Sequence, residues 1–425
     1  MGASGRLTST SYDRPYRPIP VAVANRLGRL LSRAGLLQAD LSEKSLLEAA
    51  RRKTRLDDFG DPTFRLRLRI LLESVEEEAR LHPLGRFMAR ENFIRVLSNR
   101  LRIEEAFKRR PEILARKIED PVFIIGLQRT GTTVLHRLLA ADPALRFLAS
   151  WEAVNPAPFT ADGKGEPDPR IKGALMAQRA LRYLAPDFFA IHPVEALAPE
   201  EDVLLLDFDF WSTVPEATQR VPSFSAWLEQ QDHTGAYLYY RKILQYLHWQ
   251  RPGGRWLLKS PHHMEHLDEI LKVFPNARII MPHRDPARVL ASFCSMEAHA
   301  YGVFSDDVDP REVGRHWFAK ARRMVRLAAE ARDKAGPEHF VDVAYADLVA
   351  DPIAQMRRVY DFLGLELTQE KERAMRAWLA GNPQHKHGKH RYRLEDFGLD
   401  GDTVENAFAD YRGRFSIPKE KGQGA

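Results

Sequence analysis

The stretch Pro121-Val-Phe-Ile-Ile-Gly-Leu-Gln-Arg-Thr-Gly-Thr-Thr133 decides the fold. Its first five residues are apolar and rich in β-formers, the pattern of a strand buried on both faces. Gly126 and Gly131 bracket a turn. Val134–Ala141 then sets Leu135, Leu138 and Leu139 on one helical face, and Asp142-Pro143 stops it. The same alternation recurs downstream. Strands are predicted at Arg255–Leu258, Ala277–Met281 and His339–Ala344. Helices are predicted at Met264–Val273, Pro286–Met296 and Pro352–Phe362, the last ended by Gly364. Strands alternating with helices imply a parallel sheet covered on both faces, a three-layer α/β fold.

Upstream the pattern differs. Residues 1–20 are polar and proline-bearing and read as a flexible arm. From 21 to 118 the spacing is helical throughout, over Lys44–Lys53, Thr63–Arg80, Leu84–Leu101 and Ile103–Arg109. This all-α region is assigned no chemistry, and its charges read as solvated faces. The α/β domain spans 119–418. Residues 155–250, aromatic-rich and mostly helical, read as an insertion over the C-terminal edge of the sheet, where ligands bind in such folds.

Composition narrows the partners. Of 425 residues, 64 are basic and 58 acidic, a formal charge of +6. That excess suits a polyanionic ligand better than a nucleic-acid track, which needs a dense basic stripe. Cys294 is the only cysteine, so no internal disulfide can form and a reducing, cytoplasmic setting is expected. The first twenty residues lack a signal-peptide core, and no apolar run approaches a membrane span.

Gly126-x4-Gly131-Thr132-Thr133 has the spacing of a P-loop, whose backbone amides cradle phosphate at a helix N-terminus. The triphosphate version needs lysine where Thr132 stands. No strand ends in an obvious metal-binding Asp; Ala277–Met281 runs instead into Pro282-His283-Arg284. The loop can hold a phosphate but lacks the usual means of holding a γ-phosphate with Mg²⁺. A donor with one 5′-phosphate and an attached sulfuryl group fits that deficit. Arg129, inside the loop, supplies a fixed cation for its oxygens.

The segment Pro121–Thr133 resembles the 5′-phosphosulfate loop of the sulfotransferases, in the branch that carries Arg and includes the tyrosylprotein enzymes. The resemblance covers roughly 120–415. It implies a P-loop NTPase-like fold and the donor 3′-phosphoadenosine-5′-phosphosulfate (PAPS), with no metal. It implies that Arg129 stabilises the leaving group, and that Gln128, Arg129, Thr130, Gly131, Thr132 and Thr133 bind the 5′-phosphosulfate. Arg284, with Ser292 eight positions later, is similar to the family's 3′-phosphate motif. Asp285 and Pro286 can start the helix that carries Ser292. Lys259, in Trp256-Leu-Leu-Lys259-Ser260-Pro261, resembles a lysine on the sulfuryl group or 5′-phosphate. Tyr345-Ala-Asp347-Leu348 also resembles a family segment, of a structural kind.

Transfer to a hydroxyl needs a base. By resemblance to the tyrosylprotein branch Glu152 is the catalytic base, in a register that differs by two or three residues. A glutamate paired with a nearby arginine is the alternative. His262 and His263 are rival bases. Glu200-Glu201-Asp202 opens an apolar helix, where acids are favoured by the dipole, and reads as structural. His385, His387 and His390 lie in a basic loop that is similar to one closing over the donor; without a carboxylate at helical spacing they are assigned no metal. Some of Phe188, Phe189, Phe208, Phe210, Trp211, Phe224, Trp227, Tyr237, Tyr239 and Tyr240 are expected to wall an acceptor pocket suited to an apolar or aromatic alcohol, a lipid or a glycan. The other readings are a P-loop kinase-like phosphotransferase and a non-catalytic nucleotide-binding module.

Overall fold

The computed structural model describes residues 12, 15–35, 39–159, 168–382 and 392–420. Its centre is a parallel sheet of β1 (Val122–Ile124), β2 (Leu145–Phe147), β3 (Arg255–Lys259), β4 (Arg278–His283) and β5 (Phe340–Ala344), in the order β2-β3-β1-β4-β5. Phe123 pairs with Leu258 on one side and Ile279 on the other. Being central, β1 has both faces covered. Val122 and Ile124 pack with Leu135, Leu138 and Met356 in one core layer. Phe123 joins the other with Leu258, Ile279 and Phe293. That is the three-layer arrangement predicted. All strands end on one edge, so the loop after β1, Lys259 of β3 and Arg284 after β4 share one rim.

β2 was not anticipated. It has three residues, with Arg146 in the middle, and lies at the sheet edge. So short a run shows no alternation, and its core-facing Leu145 resembles a helical residue in the sequence. The helix after β4 also runs longer than predicted, over Pro286–Phe304, because no breaker follows Met296.

Before the sheet come helices Ile19–Arg33, Glu43–Thr54, Phe64–Glu78 and Pro83–Arg109. The last joins two segments read separately. These helices are not a detached unit. Leu46, Leu68 and Leu97 share one hydrophobic core with Phe123 and Phe208. Two of their charges are buried, contrary to the solvated-face reading. Arg100 donates to the carbonyls of Phe59, Asp61 and Phe208 and to Asp209 Oδ1 at 2.8 Å. Arg67 pairs with the same carboxylate at 2.8 Å. The expected arm is anchored where it is described: Tyr12 is buried and its hydroxyl donates to Ser295 Oγ at 3.0 Å.

The 155–250 stretch is helical as expected, with helices Pro169–Leu184, Pro186–Ile191, Pro222–Leu228 and Thr234–Gln250 around a 3-10 segment Asp202–Asp209.

Candidate active site

The loop after β1 is built by close approach and by backbone strain. A Cβ at Gly126 would lie 2.8 Å from the Pro282 carbonyl oxygen of β4, so only glycine fits. Gly131 has φ +92° and packs on Tyr345 and Leu348, which explains the segment that follows β5. Arg129 is itself left-handed, with φ 65°, a conformation that costs of order 1–2 kcal/mol in a side-chain-bearing residue. The buried Thr130 hydroxyl donates to the Leu127 carbonyl at 2.6 Å and fixes the turn. Helix Thr132–Leu139 follows with Gly131 at its N-cap, which offers no side chain to the first amides. Those amides are the anion-binding element of such a loop. Thr132 is buried, Thr133 exposed and Gln128 between the two.

Residues far apart in the chain converge on Arg129. Its Nε donates to Ser292 Oγ at 3.1 Å, and its Nη1 to the Ile191 carbonyl at 3.4 Å. Arg284 Nη1 donates to the Arg129 carbonyl at 2.9 Å. Asp285 caps helix Pro286–Phe304 by accepting from the Ala287 amide, as predicted, and so aims Arg284 and Ser292 at the loop. The Arg284 guanidinium lies 4.0 Å over the Tyr345 ring. Burial pulls the Arg129 pKa below its ordinary value, and the Arg284 charge adds to that. A guanidinium remains protonated under such a shift. The remaining donors of Arg284 grip a carboxylate: Nε and Nη2 reach Glu420 Oε1 and Oε2 at 2.6 and 2.8 Å. This two-pronged grip is the geometry by which arginine also holds phosphate.

Lys259, buried at the tip of β3, gives its Nζ to Glu201 Oε1 at 2.6 Å. Sequence reasoning treated Glu200-Glu201-Asp202 as one structural group. The structure divides it. Asp202 is buried against His263 and the Tyr240 hydroxyl, while Glu201 sits at the rim with Lys259. His192 was missed altogether. It follows the carbonyl that Arg129 grips and lies in the field of Arg129, Lys259, Glu200 and Glu201. Burial is the largest cause of its pKa falling below the ordinary 6.5, the two acids raise it and the two cations lower it. Nothing in the sequence around His192 marks it; only the fold brings it to the loop.

The three residues expected as bases are engaged elsewhere. Glu152 is not brought to this cluster. It is 2% exposed, and its carboxylate accepts from Arg146 at 3.0 Å, Arg251 at 2.7 Å and the Ala149 amide at 3.2 Å. It ties β2 to the end of helix Thr234–Gln250, which is the arginine-paired alternative. His263 is fully buried, with Nε2 on Asp202 at 2.7 Å and Nδ1 on the Tyr237 hydroxyl at 2.7 Å. His262 is buried with Nδ1 against Thr213 Oγ1 at 3.2 Å. The ring nitrogens of His262, His233 and His266 come within 4.8 Å of one another. However, the His233 and His266 rings lie face to face, 3.9 Å apart and 23° from parallel. His233 Nε2 is also taken by the Leu228 carbonyl at 3.0 Å. The cluster is packed core.

Most of the aromatic residues proposed as acceptor walls are also core: Phe208, Phe224, Tyr237 and Tyr240 are fully buried. Phe188 and Phe189, on helix Pro186–Ile191, are the pair that leads to the Arg129 contact. His385–His390 lies outside the described residues.

A phosphate loop without its lysine, two arginines and a lysine at one rim: this is the equipment of anion transfer. The family model described as "Sulfotransferase family" matches residues 121–369, more than half of the chain. The chain belongs to the sulfotransferase family. Solved relatives agree. The sulfotransferase STF9 of Mycobacterium avium superposes with a TM-score of 0.82 at 30% identity, covering 90% of this chain and 99% of its own. STF1 of Mycobacterium tuberculosis H37Rv gives 0.77 at 32% identity, covering 88% and 100%. The omega-hydroxy-beta-dihydromenaquinone-9 sulfotransferase Stf3 of Mycobacterium bovis is 26% identical over 291 residues, 65% of this chain and 71% of its own. This sulfotransferase is therefore an α/β enzyme with a helical N-terminal region. Among its described residues, no helix is long and apolar enough to cross a membrane.

Proposed function

We propose that this sulfotransferase moves the sulfuryl group of PAPS to the hydroxyl of a lipid-like alcohol. The observation that carries the donor reading is the convergence of Arg284 and Ser292 on Arg129, across 155 and 163 residues of chain. Residues 128–133 hold the 5′-phosphosulfate through loop amides and the Arg129 charge. Arg284 and Ser292 serve the 3′-phosphate, with Arg284 exchanging the Glu420 carboxylate for it. Lys259 leaves Glu201 to neutralise the transferring group. The acceptor oxygen attacks sulfur in line, the bond from sulfur to the 5′-phosphate oxygen breaks, and His192 takes the hydroxyl proton. A neutral histidine is competent for that step, and the lowered pKa keeps it neutral at pH 7. Glu201, freed from Lys259, stabilises the imidazolium that results.

The acceptor class follows the relative named for an omega-hydroxylated dihydromenaquinone. Exposed Leu175, Met176 and Tyr183 on helix Pro169–Leu184 supply apolar surface leading toward helix Pro186–Ile191.

Thermal stabilisation tests the donor. The enzyme is expected to be stabilised by 3′,5′-adenosine bisphosphate in the presence of EDTA, and not by ATP with Mg²⁺. The opposite pattern supports phosphoryl transfer instead and overturns the reading. Labelled donor offered with lipid extracts then identifies the acceptor.

A further inference from the structure

Helix Ile19–Arg33 is mounted with its apolar side outward. The side chains it turns to the protein are small or polar. Asn25 is buried and its Oδ1 accepts from the Leu84 amide at 3.0 Å. Gly28 is buried so tightly that a Cβ there would lie 2.7 Å from Pro83 Cβ. Ile19, Val23, Leu27, Leu30 and Leu31 are instead exposed, at 80, 50, 54, 56 and 41%. At about 100° per residue these five fall within one third of the helix circumference. Arg26, Arg29 and Arg33 fall along one edge of that stripe, between it and the docked side. The helix contains no acidic residue. Arg29 also reaches Asp306 at 3.0 Å and fixes the rotation of the helix. Two aromatic rings nearby in the fold are exposed as well. Tyr16 lies just before the helix, and Phe87 one turn beyond Pro83.

An ordinary surface helix buries its leucines and exposes its arginines. Here both are exposed and both lie off the docked face. We infer that this helix seats the enzyme on an anionic lipid surface, with the leucine stripe in the headgroup boundary and the arginines against lipid phosphates. A second copy of the chain is the other candidate occupant, and charge speaks against it. A twofold interface places the same patch on both partners, so it would double the arginines, while the acid beside them, Asp306, is already shared between Arg17 and Arg29. Anionic headgroups supply the missing counter-charge. The inference goes beyond the transfer reaction and does not rest on it.

The test is flotation of the full chain with vesicles, without donor or acceptor. Vesicles of mixed phosphatidylglycerol and phosphatidylcholine should carry the protein upward. Pure phosphatidylcholine should bind it at least tenfold more weakly, and added salt should weaken the anionic binding. The double variant Leu27→Glu, Leu30→Glu should lose at least tenfold in vesicle affinity. Both positions are exposed, so its melting temperature and its stabilisation by adenosine bisphosphate should match the parent. Three results would overturn the inference. The parent stays in solution with both vesicle types; the variant floats like the parent; or the parent forms a concentration-dependent dimer that the variant dissolves, with no vesicle binding. None of these bears on the donor, which the bisphosphate measurement reports separately.

Discussion

Arg129 combines a left-handed backbone with a guanidinium held between Ser292 and Ile191. Strain of this kind is kept where geometry serves chemistry. Arg129→Ala should cut kcat by about two to three orders of magnitude, the scale of one lost charge-stabilising donor. Steady-state kinetics check it, and near-normal turnover would sink the mechanism. His192 allows a signed test. In the proposed mechanism its neutral form is the base, and its pKa is lowered, so the acid limb of kcat/KM should lie below 6.5. Lys259→Ala removes a cation, favours the protonated ring and should move that limb to higher pH. Glu201→Gln removes an anion and should move it lower. If both variants leave the limb in place, His192 is not the titrating base. Glu420 occupies the Arg284 fork that the proposed donor site gives to the 3′-phosphate, so Glu420→Ala should tighten adenosine bisphosphate binding severalfold, read by calorimetry. The loop and the approach of Arg284 and Ser292 to it were legible because residue type and spacing mark the strand ends and the helix start that bring them together. His192 and Glu201 were not, because their surroundings arise only from what folds beside them. Glu152 misled because a carboxylate at almost the right count cannot reveal which arginine it will meet.

The alternation of buried strands and capped helices was readable because each element has its own periodicity. β2 was not, since three edge residues carry no period, and the core aromatics of the insertion could not be told from pocket walls by type alone. The insertion is held by ionic ties that the sequence scatters over four segments. Lys320, on helix Pro310–Ala335, reaches Glu216, Glu229 and Glu265 at 3.4, 2.9 and 3.1 Å. Glu216 also accepts from Ser225 Oγ and His316 Nε2, each at 2.7 Å. Burial opposes its charge, but Lys320 and these hydrogen bonds outweigh it and hold its pKa down from 4.5 to about 2. A carboxyl depressed by folding adds stability that is complete above its unfolded value and lost as pH falls through the folded one. The window here is from pH 4.5 down to about 2. Glu216→Gln should cost roughly 3 kcal/mol at neutral pH, since it leaves Lys320 buried with one fewer partner. The loss should shrink across that acid window, and melting curves at a series of pH values would show whether it does.

The helical N-terminal region and the sheet look separable in the sequence because periodicity changes abruptly at Pro121. Packing nevertheless joins them in one core. Leu46, Leu68 and Leu97 lie in the same core as Phe123 and Phe208, and the buried Arg100 joins the two parts. Its guanidinium serves three backbone carbonyls and Asp209, stacks 4.4 Å from Phe64, and is buried. Arg100→Ala strands those acceptors at once. Arg67 still meets Asp209 at 2.8 Å, so the carboxylate is not wholly orphaned. The cost should still be about 3–5 kcal/mol, the scale for breaking a buried ion pair from one side. How the loss appears is the sharper measurement. A shared core makes the two parts one cooperative unit, so calorimetry of Arg100→Ala should give a single transition at lower temperature. Adenosine bisphosphate should raise that whole transition, although its proposed site is the sheet rim and Arg100 lies in the N-terminal helices. If the helices were an independent unit, the variant would show an early transition insensitive to the bisphosphate. A second transition would then remain at the parent temperature and alone respond to the ligand.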